Sequence, residues 1–163
     1  MYSVRLNKEH HVFSAAHFIT FGAPGGTICE RLHGHNYRVA VEVEGPLDEN
    51  QYVIDFIALR DELKAITDQL DHRMLLPTSH PLIRVTAGER EVEVIYTPDG
   101  RRWVFPAGDC ALLPVANTTA ELLAQHIGLR LAAAIVARTG VKPTRLEVAV
   151  DENHGQWGVW RSA

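Results

Sequence analysis

Cys29-Glu30-Arg31-Leu32-His33-Gly34-His35-Asn36-Tyr37-Arg38-Val39-Ala40-Val41-Glu42-Val43-Glu44 is the stretch from which the architecture is read. From His35 onward, Tyr37, Val39, Val41 and Val43 share one face. Asn36, Arg38, Glu42 and Glu44 lie mostly on the other, the period of a strand with one buried side. Gly45-Pro46 ends it. His33 and His35 continue the apolar row, so both imidazoles stand at the end of a buried face. Two imidazoles presented together from one strand suit a borderline metal such as zinc.

Upstream, residues 3–16 are strand-like and run into Phe13-Ser14-Ala15-Ala16-His17. Residues 21–31 carry Phe21-Gly22-Ala23-Pro24-Gly25-Gly26-Thr27, a flexible connection. If the two strands pair, His17 is the natural third ligand. Three protein ligands leave a fourth position for water or substrate, the pattern of a catalytic zinc. For His33 and His35 alone, hydrogen-bonded residues at a strand end would be the better reading; His17 shifts the balance to a metal. Cys29 lies close enough in sequence to approach that metal as ligand, base or nucleophile, and nearby positive charge would raise its thiolate fraction.

Downstream, Asp55 stands where an N-cap belongs, ahead of Phe56, Leu59, Leu63, Ile66 and Leu70, which predicts a helix over 55–70. It stops at Asp71-His72, a pair that either caps the helix or relays a proton for Cys29. Residues 77–116 are the least regular part. There, Arg90–Tyr96 and Arg101–Phe105 flank Thr97-Pro98-Asp99-Gly100, a hairpin turn. Thr118-Thr119-Ala120-Glu121 predicts a capping box, with Thr118 as cap of a helix over 118–138 closing at Gly140. Strands over Arg145–Asp151 and Trp157–Arg161 finish the chain. The order is strand, strand, helix, hairpin, helix, strand, strand, a single α+β domain over 1–163.

Composition narrows the partners. The chain has 163 residues, 46% hydrophobic and 22% charged, with a formal charge of −4 and nine histidines. Without a basic block, nucleic acid is not expected and a small molecule is favoured. Apolar runs fall short of the ~20 residues that span a bilayer, and no apolar signal segment opens the chain, so no membrane partner is expected. Cys29 and Cys110 read as thiols of a reducing, cytoplasmic compartment. Cys110, His10, His11, His80, His126 and His154 read as surface or packing residues. Taken alone, Glu121 is a helix cap and Glu152 a strand-end carboxylate.

Phe-Ser-Ala-Ala-His17, Cys29-Glu-Arg-Leu-His33-Gly-His35-Asn-Tyr, Val53-Ile-Asp55-Phe, Leu70-Asp71-His72, Thr119-Ala-Glu121 and Val148-Ala-Val-Asp-Glu152 occur in this order. Together they resemble the 6-pyruvoyltetrahydropterin synthase / 6-carboxytetrahydropterin synthase family over nearly the whole chain outside about 78–115. The resemblance implies a tunnelling fold (T-fold), an antiparallel four-stranded sheet with two helices on one face, here with an inserted hairpin around 90–105. It implies homohexamers, dimers of trimers, with active sites between subunits. The substrate implied is 7,8-dihydroneopterin triphosphate. Zn2+ would be held by His17, His33 and His35 as a Lewis acid. Cys29 would be the general base, and Asp71 with His72 the second proton-transfer group. Glu152 would anchor the pterin, because a carboxylate accepts paired N–H bonds from an aminopyrimidine edge. Thr119 and Glu121 would line the same pocket.

Three departures stand out. Glu30 directly follows Cys29, and some members use a glutamate at this next position as an alternative base. The 78–115 segment is longer than compact members need. Asn153 follows the anchoring glutamate where a threonine or serine is usual. The leading expectation is a zinc-dependent lyase forming 6-carboxy-5,6,7,8-tetrahydropterin for queuosine or another deazapurine. Alternatives at the same site are 6-pyruvoyltetrahydropterin, by triphosphate elimination, or 6-hydroxymethyl-7,8-dihydropterin for folate through Glu30. From other classes come a non-catalytic pterin- or metal-binding protein, and a thiol hydrolase that would leave His33 and His35 unexplained.

Overall fold

The alternating stretch forms β4 (His33–Gly45), which pairs antiparallel with β1 (Tyr2–His17). Tyr37, Val39, Val41 and Val43 are all buried, as their spacing predicts. The computed structural model describes residues 1–163 apart from Pro24 and the side chains of Glu9 and His10. The role read for His10 and the Pro24 part of the connection therefore lie outside the described residues. The rest of that connection is more ordered than a loop: β2 (Thr20–Phe21) and β3 (Ile28–Cys29) form a short antiparallel pair.

β10 (Arg145–Asp151) pairs antiparallel with β4 and with β11 (Trp157–Arg161), completing the four expected antiparallel strands. The sheet is nevertheless larger than the four-stranded expectation. β5 (Arg73–Pro77) and β9 (Cys110–Leu113) extend it in parallel, giving a six-stranded mixed sheet in the order β11-β10-β4-β1-β5-β9. Met74-Leu75-Leu76 and Ala111-Leu112-Leu113 are short apolar runs without alternation, a pattern that periodicity alone does not distinguish from other buried segments. The hairpin is also larger than expected. β7 (Glu91–Tyr96) and β8 (Arg101–Pro106) turn at residues 97–100, and β6 (Ile83–Ala87) adds a third antiparallel strand.

Helix α1 (Phe56–Thr67) is capped by Asp55, whose carboxylate accepts the Ile57 N–H at 2.7 Å. It is shorter than the predicted 55–70, because turns carry the chain on to Asp71. Helix α2 (Ala120–Thr139) starts one residue later than the capping box implies. Thr119, not Thr118, is the cap, and its hydroxyl accepts from Leu122 N. The Thr118 hydroxyl donates instead to the buried Phe18 carbonyl at 3.1 Å. Glu121 therefore sits in the first turn beside the cap, where the helix dipole favours a carboxylate. By length and composition alone helix α2 could cross a membrane, but most of its large apolar side chains pack into the core. It packs on β10, β11 and α1 with Leu123, Ile127, Leu131 and Ile135 buried. Each such side chain contributes about 1.5–3 kcal/mol relative to exposure.

The sheet and two helices enclose one apolar cluster, while Phe18, Cys29, Met74, Leu76, Ile83, Val92, Val94 and Tyr96 form a second under the added sheet. Gly158 on β11 sets the spacing at the start of α2: a Cβ there would lie 2.4 Å from Glu121 N and 2.5 Å from the Ala120 carbonyl carbon. Backbone cannot swing aside as a side chain can. Gly158→Ala is expected to lower stability by about 1–3 kcal/mol in urea unfolding; an unchanged midpoint would show that strand and helix separate without cost.

Candidate metal centre and pterin crevice

The β1–β4 register pairs His17 directly with His33, and His35 follows two residues along on the same face. The ring centroids stand 4.8 Å apart for His17 and His33, 5.2 Å for His17 and His35, and 4.8 Å for His33 and His35. Backbone carbonyls set two of the rings. His17 Nδ1 donates to the Thr118 carbonyl, and His33 Nδ1 to the Arg31 carbonyl, each at 2.8 Å. A carbonyl only accepts, so in the neutral imidazole the proton sits on Nδ1 and the lone pair on Nε2. Tyr37 forms the floor, its ring 5.8 Å from His17 and 5.4 Å from His35, and it stacks on Phe13 at 4.8 Å.

Glu152, expected at the pterin, stands among the imidazoles. Its Oε1 lies 3.2 Å from His35 Nε2 and 3.8 Å from His17 Nε2. The cause is register: Asp151 at the end of β10 pairs with Arg38 on β4, so the next residue reaches the level of the histidines. His17, His33, His35 and Glu152 each offer a ligand atom, all within 4.8 Å of one another. The Nε2 atoms of His17 and His35 are buried yet make no hydrogen bond among the described residues. Such an orphan costs about 1–3 kcal/mol. Burial, reinforced by the two neighbouring imidazoles and opposed by the Thr118 carbonyl, lowers His17 to about 4. It is therefore neutral near pH 7, the form that ligates metal. The donor set fits a metal ion.

Around this centre the remaining predicted residues separate into three places. Cys29 is buried in the second apolar cluster, its Sγ 3.5 Å from the Glu30 carbonyl. Burial pushes its thiol above the ordinary value, against the opposing pull of the Arg101 guanidinium. Glu30, in contrast, turns its carboxylate toward the centre, with Oε2 4.0 Å from His33 Nε2 and accepting from Ile19 N at 3.3 Å. Asp71 accepts from Ser14 N and from His72 Nδ1, each at 2.8 Å, which holds its carboxyl below the usual range. His72 has a left-handed backbone, φ 55°, and lines an open cleft of about 540 Å³ with His35, Ser14 and Asn36; Cys29 is not among its walls. Thr119, Glu121 and Glu152 line a separate recess together with Ile19, Gln156 and Trp157. Glu152 thus borders both the imidazoles and the recess.

Sequence reading missed Thr118 and Arg31, whose contributions are carbonyls and leave no mark in residue type. It also read Tyr37 only as core. Loading with one equivalent of zinc should give a 1:1 metal content in the wild-type chain and below about 0.1 in His17→Ala or His35→Ala, by elemental mass spectrometry after dialysis. Full retention in either variant would remove that residue from the ligand set.

Residues 5–163 match the family model described as 6-pyruvoyl tetrahydropterin synthase. A Methanocaldococcus jannaschii protein provisionally named 6-carboxy-5,6,7,8-tetrahydropterin synthase is 31% identical over 91% of this chain and 88% of its own. The Bacillus subtilis 6-carboxy-5,6,7,8-tetrahydropterin synthase is 40% identical over 45% of this chain and 47% of its own. The crystal structure of Plasmodium vivax 6-pyruvoyl tetrahydropterin synthase superposes with a TM-score of 0.88 at 26% identity, covering 99% of this chain and 97% of that one. The same enzyme has been solved as a catalytic-residue mutant in which a glutamate is replaced by alanine. The shared fold, the ordered motifs and the match over residues 5–163 agree: the chain belongs to the 6-pyruvoyl tetrahydropterin synthase family of pterin-synthase, lyase-type enzymes.

Proposed function

We propose that the chain is a zinc-dependent lyase that converts 7,8-dihydroneopterin triphosphate to 6-carboxy-5,6,7,8-tetrahydropterin, on a route to queuosine or another deazapurine. The observation that carries this reading is the convergence of three imidazoles with two orphaned Nε2 atoms beside a carboxylate-lined recess. Zinc held by His17, His33 and His35 would supply Lewis acidity to the hydroxyl groups of the substrate side chain. Glu152 would accept paired N–H bonds from the aminopyrimidine edge, with Thr119 and Glu121 lining the same pocket, and orient the ring so that its side chain meets the imidazoles. Cys29 would remove a side-chain proton, helped by Arg101, which opposes the upward push of burial on its thiol. Asp71 would hold His72 as the second proton-transfer group. The reading includes a cytoplasmic homohexamer, a dimer of trimers with sites between subunits. The placement of sites between subunits, and that part alone, is supported by the exposure of His72 on a cleft that Cys29 does not line.

A second reading rests on the orientation of Glu30. Its carboxylate, rather than the Cys29 thiol, faces the imidazoles, and the Plasmodium vivax enzyme has a glutamate as a catalytic residue. With Glu30 as base, deprotonating the C2′ hydroxyl would break the C1′–C2′ bond in a retro-aldol step, releasing C2′ and C3′ as triphosphorylated glycolaldehyde. The electron pair left on the C1′ side would take a proton back and give 6-hydroxymethyl-7,8-dihydropterin.

Product analysis separates the two. Zinc-loaded protein is incubated with 7,8-dihydroneopterin triphosphate beside Cys29→Ala and Glu30→Ala, and the pterins are identified by mass spectrometry. The carboxy product should fall by at least about 100-fold in Cys29→Ala, within the range of a lost general base. Its share should also rise with pH, because a thiol with a raised pKa yields more thiolate as pH climbs. A hydroxymethyl product lost only in Glu30→Ala would install the second reading. Tight pterin binding without turnover would overturn both.

A further inference from the structure

We propose that Arg101, on the added three-stranded sheet, is a positioning residue that holds the Cys29–Glu30 peptide beside the imidazole cluster, with Tyr96 and His80 fixing the approach to it; the inference rests on the reading of Cys29 or Glu30 as the base. The Arg101 Nη1 donates to two successive carbonyls, Cys29 at 3.2 Å and Glu30 at 3.5 Å. Asp99 steadies the guanidinium, its carboxylate accepting from Nη2 at 2.5 Å and from the Arg101 backbone N–H at 2.9 Å. The rings of Tyr96 and Trp103 flank the guanidinium at 5.7 and 5.9 Å. Trp103 in turn stacks on Phe18, the neighbour of His17, at 4.6 Å.

The connection before Cys29 needs outside support. Gly22, Gly25 and Gly26 all adopt positive φ, so the unrestrained backbone has many alternatives. Tyr96 donates its hydroxyl to the Gly26 carbonyl at 2.9 Å. His80 accepts the Leu82 N–H on Nδ1, which leaves Nε2 as the donor to Thr20 Oγ1. Gly26 is itself pressed into that corner, where a Cβ would meet Thr20 Oγ1 at 2.5 Å. All three supporting side chains come from residues 78–115, the part that carries none of the motifs quoted for the family resemblance. The planar guanidinium reaches both carbonyls through Nη1 while Nη2 stays on Asp99, a fixed two-sided geometry that a lysine ammonium reproduces only in part.

Hydrogen exchange on the zinc-loaded full chain, read by mass spectrometry in Arg101→Met and Arg101→Lys, tests the proposal. Peptides covering 26–31 should exchange at least tenfold faster in Arg101→Met, with β4, β10 and α2 unchanged and zinc content intact. Turnover should fall at least tenfold at a KM within twofold of wild type, and Arg101→Lys should recover part of both effects. Unchanged exchange over 26–31, or acceleration spread evenly across the sheet, overturns the proposal. If Arg101→Met fails to fold, Tyr96→Phe replaces it: local acceleration supports the buttress and none overturns it. Absence of turnover in the wild type would count against the assigned base alone, because the exchange readout does not depend on activity.

Discussion

The antiparallel pairing of His17 with His33 is the constraint on which the rest of the molecule depends. Side chains alternate along a strand, so a slip of one residue would turn an entire row from one face of the sheet to the other. Here the row from Val43 back to Tyr37 is buried under the helices, and its apolar content locks β4 in place. The Phe13–Tyr37 stack, in register across the two strands, fixes β1 at the point where the histidines begin. The metal centre is thus the last step of a core-forming pattern, and hydrophobic packing sets the positions of polar ligands.

That arrangement opposes folding locally. Burying the Nε2 atoms of His17 and His35 without a hydrogen bond among the described residues is unfavourable, and the nearby Glu152 adds a carboxylate that must partly leave water. The chain limits the cost by satisfying the other ring nitrogen of His17 and His33 with backbone carbonyls. The same bonds choose the tautomer. A group that binds at the centre therefore gains affinity from lone pairs already aimed and already desolvated. The second apolar cluster does related work for the Cys29–Glu30 segment. It buries the thiol, while the carboxylate beside it stays at the rim of the centre.

Where side-chain chemistry repeats at a fixed period, the architecture was legible. The β4 alternation, the Asp55 cap, the Thr97–Gly100 turn and the Gly140 stop all recur in the structure. So does the meeting of His17 with His33 and His35. Illegible were features carried by backbone or by register. β5 and β9 are short apolar runs with no period in residue type to detect, although Leu112 on β9 faces outward. The one-residue shift of the α2 cap arose because Thr118 and Thr119 are chemically equivalent, and only the three-dimensional demand of Phe18 and His17 on Thr118 distinguishes them. Glu152 reached the imidazoles through the β10–β4 register, which is a property of two distant strands.

X-ray absorption at the zinc edge of the loaded protein tests the central claim most directly. The account predicts a first shell of light atoms only, with imidazole nitrogens at about 2.0–2.1 Å and the multiple scattering of three histidine rings. A sulfur shell at about 2.3 Å would contradict it, making Cys29 a ligand and requiring its segment to leave the apolar cluster in which it is packed.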